Sequence, residues 1–168
     1  NFPLDVTIRG TGGHGAEPHL AKDPVVLAAQ FVLALQTIVS REIDPAEMGL
    51  ITVGAINGGN RRNIIPDEVL LNLTIRAYDQ KIGLKIINSI ERMAQGLALA
   101  AGLPENKYPI ISINDDSWDQ VINDGEIVNK IEKVFTHLLG HSNVINIDPV
   151  NTSEDFGNFG KGDPPIPL

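Results

Sequence analysis

Glu68-Val69-Leu70-Leu71-Asn72-Leu73-Thr74-Ile75-Arg76-Ala77-Tyr78 is the stretch from which the fold can be read. Val69, Leu71, Leu73 and Ile75 alternate with Leu70, Asn72, Thr74 and Arg76, the period of two that marks a strand covered on one face. Upstream, Met48 to Ile56 reads as a second strand ending in Asn57-Gly58-Gly59-Asn60, so the two predict a hairpin joined by a long loop. Leu4 to Arg9 alternates in the same way. Between these strands Asp23 caps and Pro24 starts a helix to about Arg41. Downstream, Ile82, Ile86, Ile90, Met93, Leu97 and Ala101 recur at helical spacing until Gly102 and Pro104 stop them, and Tyr108 to Ile113 supplies a last strand. The order βαββαβ over about 115 residues predicts an α+β, ferredoxin-like fold, an antiparallel sheet with both helices on one face.

The first helix has two apolar sides, Val25, Ala29, Val32 and Val39 on one and Leu27, Phe31, Leu35 and Ile38 on the other. A helix with so little polar surface predicts packing on its sheet and also on a partner. Beyond Asp115 the character changes. Asp115-Asp116-Ser117 is polar, Trp118 to Asp124 has no period, and Glu126 to Leu139 is helical with Ile127, Ile131, Val134 and Leu138 as its stripe. Val144 to Ile147 predicts a short strand, and Thr152 or Ser153 a cap for a short helix. A start without methionine inside a strand, and an end in Pro164-Pro165-Ile166-Pro167-Leu168, predict a piece of a longer protein.

With 42% hydrophobic and 20% charged residues, the 168-residue chain can bury a core and is not a disordered tail. A net charge of −8, with Arg61-Arg62 as the only adjacent basic pair, argues against nucleic acid and anionic membrane surfaces. No cysteine is present for a disulfide or a thiolate metal site, which agrees with a cytoplasmic setting. No apolar run reads as a membrane span, and no signal peptide opens the chain.

Gly12-Gly13-His14-Gly15-Ala16-Glu17-Pro18-His19 follows the first strand and presents an imidazole rather than packing it. Gly12, Gly13 and Gly15 allow positive φ and close approach of a ligand, and Pro18 fixes the exit of the loop. His19 could pair with His14 at a metal, but without a carboxylate a loop-ordering role is preferred. His137 and His141 stand four apart near a helix end, where interaction with the helix dipole is preferred to ligation.

The runs GTGGHGAEPHLAKDP, LQTIVSREIDP, ITVGAINGGNRRNIIPDEV, TIRAYD and NTSEDFGNFGKGDPPIPL occur in an order and spacing that resembles the M20 family of metal-dependent amidohydrolases and peptidases, in particular its hippurate hydrolase and N-acyl-amino-acid amidohydrolase branch. The resemblance implies a catalytic α/β domain with an inserted βαββαβ lid that dimerises. Residues 1–115 would be the lid/dimerisation domain and residues 116–168 a partial C-terminal segment of the catalytic domain. Two divalent metal ions (Zn, Mn, Ni or Co) are implied, with their ligands and a glutamate base outside this chain, so no metal ligand is assigned here. The partners implied are a second copy of the protein, joined through the lid, and a small N-acyl amino acid or peptide.

The resemblance also implies roles for three residues. His14 matches the lid histidine that stabilises the oxyanion in the partner's active site, a contribution of roughly 3 kcal/mol for a well-placed donor; a histidine bonded to its own loop is the structural alternative. Asn63 and Arg76 match substrate-gripping positions, and a guanidinium suits a carboxylate held by two parallel hydrogen bonds. A turn residue before Pro66 and a surface ion pair are their alternatives. Glu154 and Asp155 match an acidic segment beside the pocket, with a supporting role or a solvated helix start. The function implied is hydrolysis of N-acyl amino acids by the whole protein, the chain alone being inactive. A di- or tripeptidase, or a non-catalytic dimerisation or ligand-binding module, are the other readings.

Overall fold

The computed structural model, which describes residues 1–114, 121–152, 155–161 and 166–168, turns the alternating segments into one sheet. In chain order the elements are β1 (Phe2–Arg9), β2 (Gly13–His14), α1 (Pro24–Glu42), β3 (Gly49–Asn57), β4 (Ile64–Ile65), β5 (Glu68–Ala77), α2 (Gln80–Ala100) and β6 (Ile110–Ile113). Four strands pair in the order β3-β5-β1-β6, all antiparallel. The βαββαβ order and the ferredoxin-like sheet expected from the sequence are present. A two-stranded ribbon, β2 with β4, lies within the loops and was not expected.

Alternation puts Leu4, Val6 and Ile8 of β1, and Val69, Leu71, Leu73 and Ile75 of β5, into the core, none more than 3% exposed. The opposite face is polar, and there Asn72 Nδ2 donates to Asp5 Oδ1 at 2.8 Å. Asp23 caps α1 through Val25 N–H, and Asp79 caps α2 through Lys81 N–H. From α1 the core receives Leu27, Ala28, Phe31, Leu35 and Ile38. The other apolar side is only partly covered: Val25, Val26 and Leu33 are exposed. By length and composition α1 could cross a membrane, a property the sequence reading missed, although its buried side is committed to the sheet and α2.

In α2 the buried line is Ile86, Ile87, Ile90, Ala94 and Ala98, while Ile82, Met93, Leu97 and Ala101 sit at its rim. Small residues mark where α1 comes close, because a helix pair approaches most tightly over alanine. The two helices are also tied at one end: Arg92 Nη2 donates to both carboxylate oxygens of Glu42 at 2.6 and 2.7 Å, and Ser89 Oγ donates at 2.9 Å. These hydrogen bonds hold the Glu42 carboxyl below its ordinary pKa, Arg92 contributing most. The last strand starts at Ile110 rather than at Tyr108, because Pro109 has no N–H for the ladder.

Contacts divide the chain into two units, Asn1–Ser117 and Trp118–Leu168. The boundary expected at residues 115 and 116 falls outside the described residues. In the second unit α3 (Gly125–Leu139) is capped by Asp124, whose Oδ1 accepts from Glu126 and Ile127 N–H, both at 2.9 Å. Its predicted stripe exists, yet no α3 residue is buried. The strand expected over Val144 to Ile147 is not formed. Val144 is extended, but its N–H turns back to His141 O at 3.5 Å, and residues 144–147 join no strand ladder among the described residues. Phe156–Lys161 forms a 3₁₀ helix with the Phe156 and Phe159 rings 5.5 Å apart. Of the expected cap, Thr152 is in no regular element and Ser153 lies outside the described residues.

Candidate functional site

Where the β1–β5 ladder ends at Arg9 and Glu68, the two chains stay together and build a small platform. Gly10 N–H donates to Asp67 O at 2.7 Å, one step beyond the last strand pair. Thr11 and Lys22 then exchange two backbone hydrogen bonds of 2.9 Å, which close the intervening loop at its base. Gly12 N–H donates to Asp67 Oδ1 at 2.9 Å, Gly13 and His14 pair with Ile65 and Ile64, and Gly15 N–H donates to Asn63 O at 2.9 Å. The histidine thus sits on a ribbon held on both sides of it.

Close approach, not left-handed backbone, explains the glycines. A Cβ on Gly12 would lie 2.7 Å from Ile65 O, and one on Gly10 would lie 2.2 Å from Lys22 O. Gly12, Gly13 and Gly15 do not use the positive φ open to them: among the described residues only Gly59, Gly102 and Gly140 have it.

His14 is exposed, as expected of a presented side chain. Ala16 N–H donates to its Nδ1 at 3.2 Å. A backbone N–H can only donate, so Nδ1 must keep its lone pair, and the neutral ring carries its proton on Nε2. That Nε2–H has no partner among the described residues, and it is the atom free to bond a group outside the loop.

Asn63 is next to this histidine across the ribbon, with its carbonyl engaged by Gly15 and its side chain exposed. Arg76 is elsewhere: it is half-buried, in register with Leu50, and eight residues along β5 from Glu68, roughly 26 Å at strand rise. His14 and Asn63 therefore share one end of the sheet, and Arg76 occupies the other. His19 lies exposed in the Pro18–Leu20 turn, and the loop's order comes from backbone bonds rather than from its ring. His137 is in the last turn of α3, but Gly140, at φ 88°, ends the helix before His141, so the two do not share a helical face. Asp155 is exposed and Glu154 lies outside the described residues. Among the described residues no group of three or more His, Cys, Asp or Glu side chains could hold a metal ion, so these residues do not fit a metal centre. Asp67 is the site residue that the sequence reading did not single out. Its signal was the Pro66-Asp67 pair directly after the asparagine turn.

Comparison with known proteins adds to this geometry. Residues 4–101 match the family model of the M20 peptidase dimerisation domain. The chain is 40% identical over 155 residues to an N-acetyldiaminopimelate deacetylase of Leuconostoc citreum, covering 92% of this chain and 38% of that protein. It is 35% identical over 156 residues to a hippurate hydrolase of Campylobacter jejuni, covering 92% and 39%. Among solved structures, a candidate aminohydrolase from methicillin-resistant Staphylococcus aureus superposes with a TM-score of 0.78 at 31% identity, over 95% of this chain and 40% of that one. An aminopeptidase PepT from Bacillus cereus shares the fold, with a TM-score of 0.69 at 17% identity, over 92% of this chain and 39% of that one. The chain thus spans about two fifths of the length of its curated relatives.

Proposed function

This chain belongs to the M20 family of peptidases and amidohydrolases through its dimerisation domain, and we propose that the whole protein is a metal-dependent amidohydrolase acting on N-acyl amino acids. The first unit is its lid, and the second is part of its catalytic domain. The single observation that carries this reading is the exposed His14 ring, whose Nδ1 accepts from Ala16 N–H at 3.2 Å and so leaves Nε2 as the donor.

Hydrolysis of an amide puts negative charge on the carbonyl oxygen. A donor already held in place stabilises that charge by roughly 3 kcal/mol, because no reorganisation is needed as it develops. The metal ions and the groups that activate water belong to segments outside this chain. What this chain supplies is a donor at His14, an amide at Asn63 for the carbonyl or carboxylate oxygen, and a guanidinium at Arg76 for the substrate carboxylate. Two of these stand at one end of the sheet and the third at the other, an arrangement that suits one site built from two protomers. A dimer joined through β3 and α1 would suit the same arrangement. β3 is an edge strand with one row of backbone groups unpaired, and α1 exposes Val25, Val26 and Leu33.

In the full-length protein His14→Ala should lower kcat for an N-acyl amino acid about 100-fold or more while leaving the unfolding temperature unchanged. Mixed dimers of His14→Ala with an active-site-dead partner should regain activity if the histidine serves the other protomer. An unchanged kcat in the His14→Ala homodimer would remove the assignment. Arg76→Lys should raise KM for acyl amino acids and not for uncharged amides, since the bidentate geometry is lost; an equal rise for both would overturn the carboxylate role.

A further inference from the structure

We propose that Asp67 is a positioning residue for His14, acting by hydrogen-bond acceptance from Gly12 rather than by its charge. The inference rests on the oxyanion reading of His14 and extends it to the residue that determines where the imidazole stands. Asp67 holds the histidine strand at two points, through its backbone and through its side chain. Its backbone carbonyl accepts from Gly10 N–H at 2.7 Å, and its side chain accepts from Gly12 N–H at 2.9 Å. These bonds span the point at which the main ladder has ended at Arg9–Glu68 and the two-residue ribbon has not yet begun.

Without the side-chain bond, the histidine strand would rest on backbone bonds alone, those of Gly10 with Asp67, Thr11 with Lys22 and Gly15 with Asn63 beside the ribbon's own short pairing, and a two-stranded ribbon of this length is marginal in water. Close packing makes the contact specific. A Cβ at Gly12 would lie 2.7 Å from Ile65 O, an approach only glycine permits, and 3.2 Å from Asp67 Oδ1, close enough that the carboxylate would have to shift. His14 is two positions beyond Gly12, and an ångström of displacement in a preorganised donor is enough to cost orders of magnitude in rate. The Asp67 carboxylate is itself exposed and bonds Gly12 N–H rather than the His14 ring, so its influence passes through the backbone.

The test is a double-mutant cycle on the full-length, metal-loaded protein, assayed with an N-acyl amino acid. Asp67→Ala should lower kcat about 10- to 100-fold with KM within about twofold. Asp67→Asn keeps an oxygen that can accept from Gly12 and should stay within about threefold of the parent. In the His14→Ala background, Asp67→Ala should cost less than about twofold more, because the group it positions is gone. Equal losses from Asp67→Ala with and without His14, or an Asp67→Asn variant as impaired as Asp67→Ala, would overturn the inference and leave the role of His14 standing. A His14→Ala variant with undiminished kcat would instead overturn the oxyanion reading, and the positioning role with it.

Discussion

α2 and α3 carry the same kind of apolar stripe, yet one is buried and the other is not. In α2, Ile86 and Ile90 are fully enclosed between the sheet and α1, whereas in α3 Ile131 is 46% and Leu138 is 70% exposed. Helical spacing states which side of a helix wants cover, and it says nothing about whether the cover lies within the same stretch of chain. The contrast extends to the units. The first holds a continuous core from four strands and two helices, and the second has a capped helix with a bare apolar face.

The sharpest way to break this comparison is to remove a large side chain from each unit. Phe31→Ala should cost about 3–5 kcal/mol in the denaturant unfolding of this chain, because the ring is fully enclosed and its space cannot refill. A cost below 1 kcal/mol would mean that the core is not packed as described.

A smaller effect comes from the tie between α1 and α2. The Glu42 carboxyl has a lowered pKa in the folded state, so its bonds to Arg92 and Ser89 add stability at pH above the unfolded value of about 4.3. That stability fades as pH falls through the lowered folded value. Arg92→Ala should therefore be less stable than the parent at neutral pH and should converge with it in acid; a gap that is constant or widens toward low pH would contradict the assignment. Because Arg92 is 62% exposed, the gap should be modest and should shrink in high salt.

The smallest effect should be at Phe135. It is 49% exposed on α3, and Phe135→Ala should move the stability of this chain by no more than about 0.5 kcal/mol. The same substitution in the full-length protein should cost well over 1 kcal/mol if further chain covers that face; equal small effects in both would show that the face stays open.

Legibility followed the same division. The strands at Leu4 to Arg9 and Glu68 to Ala77 could be read because alternation against a covering layer is written into consecutive residues. Asp23 could be read because a cap acts on the next few residues. The Val144 to Ile147 strand was misread, since β-branched residues state a preference that only a neighbouring strand can satisfy. In the site, the exposure of His14 was foreseeable from its glycine setting. The role of those glycines was not, because Gly12 is needed by the carbonyl of Ile65, a residue 53 positions away. Asp67 was missed for the same reason.

By itself, the order of residues determined the βαββαβ succession, the inward faces of its strands and helices, and the presentation of one imidazole in a glycine-rich turn, all consequences of interactions between near neighbours in the chain. Only the tertiary structure decided that β2 and β4 would form a ribbon, that Nδ1 of His14 would be occupied and Nε2 left open, and that Arg76 would stand at the far end of β5. Those outcomes depend on hydrogen bonds and close contacts between segments distant in sequence, and a single chain read residue by residue does not state which of its segments will meet.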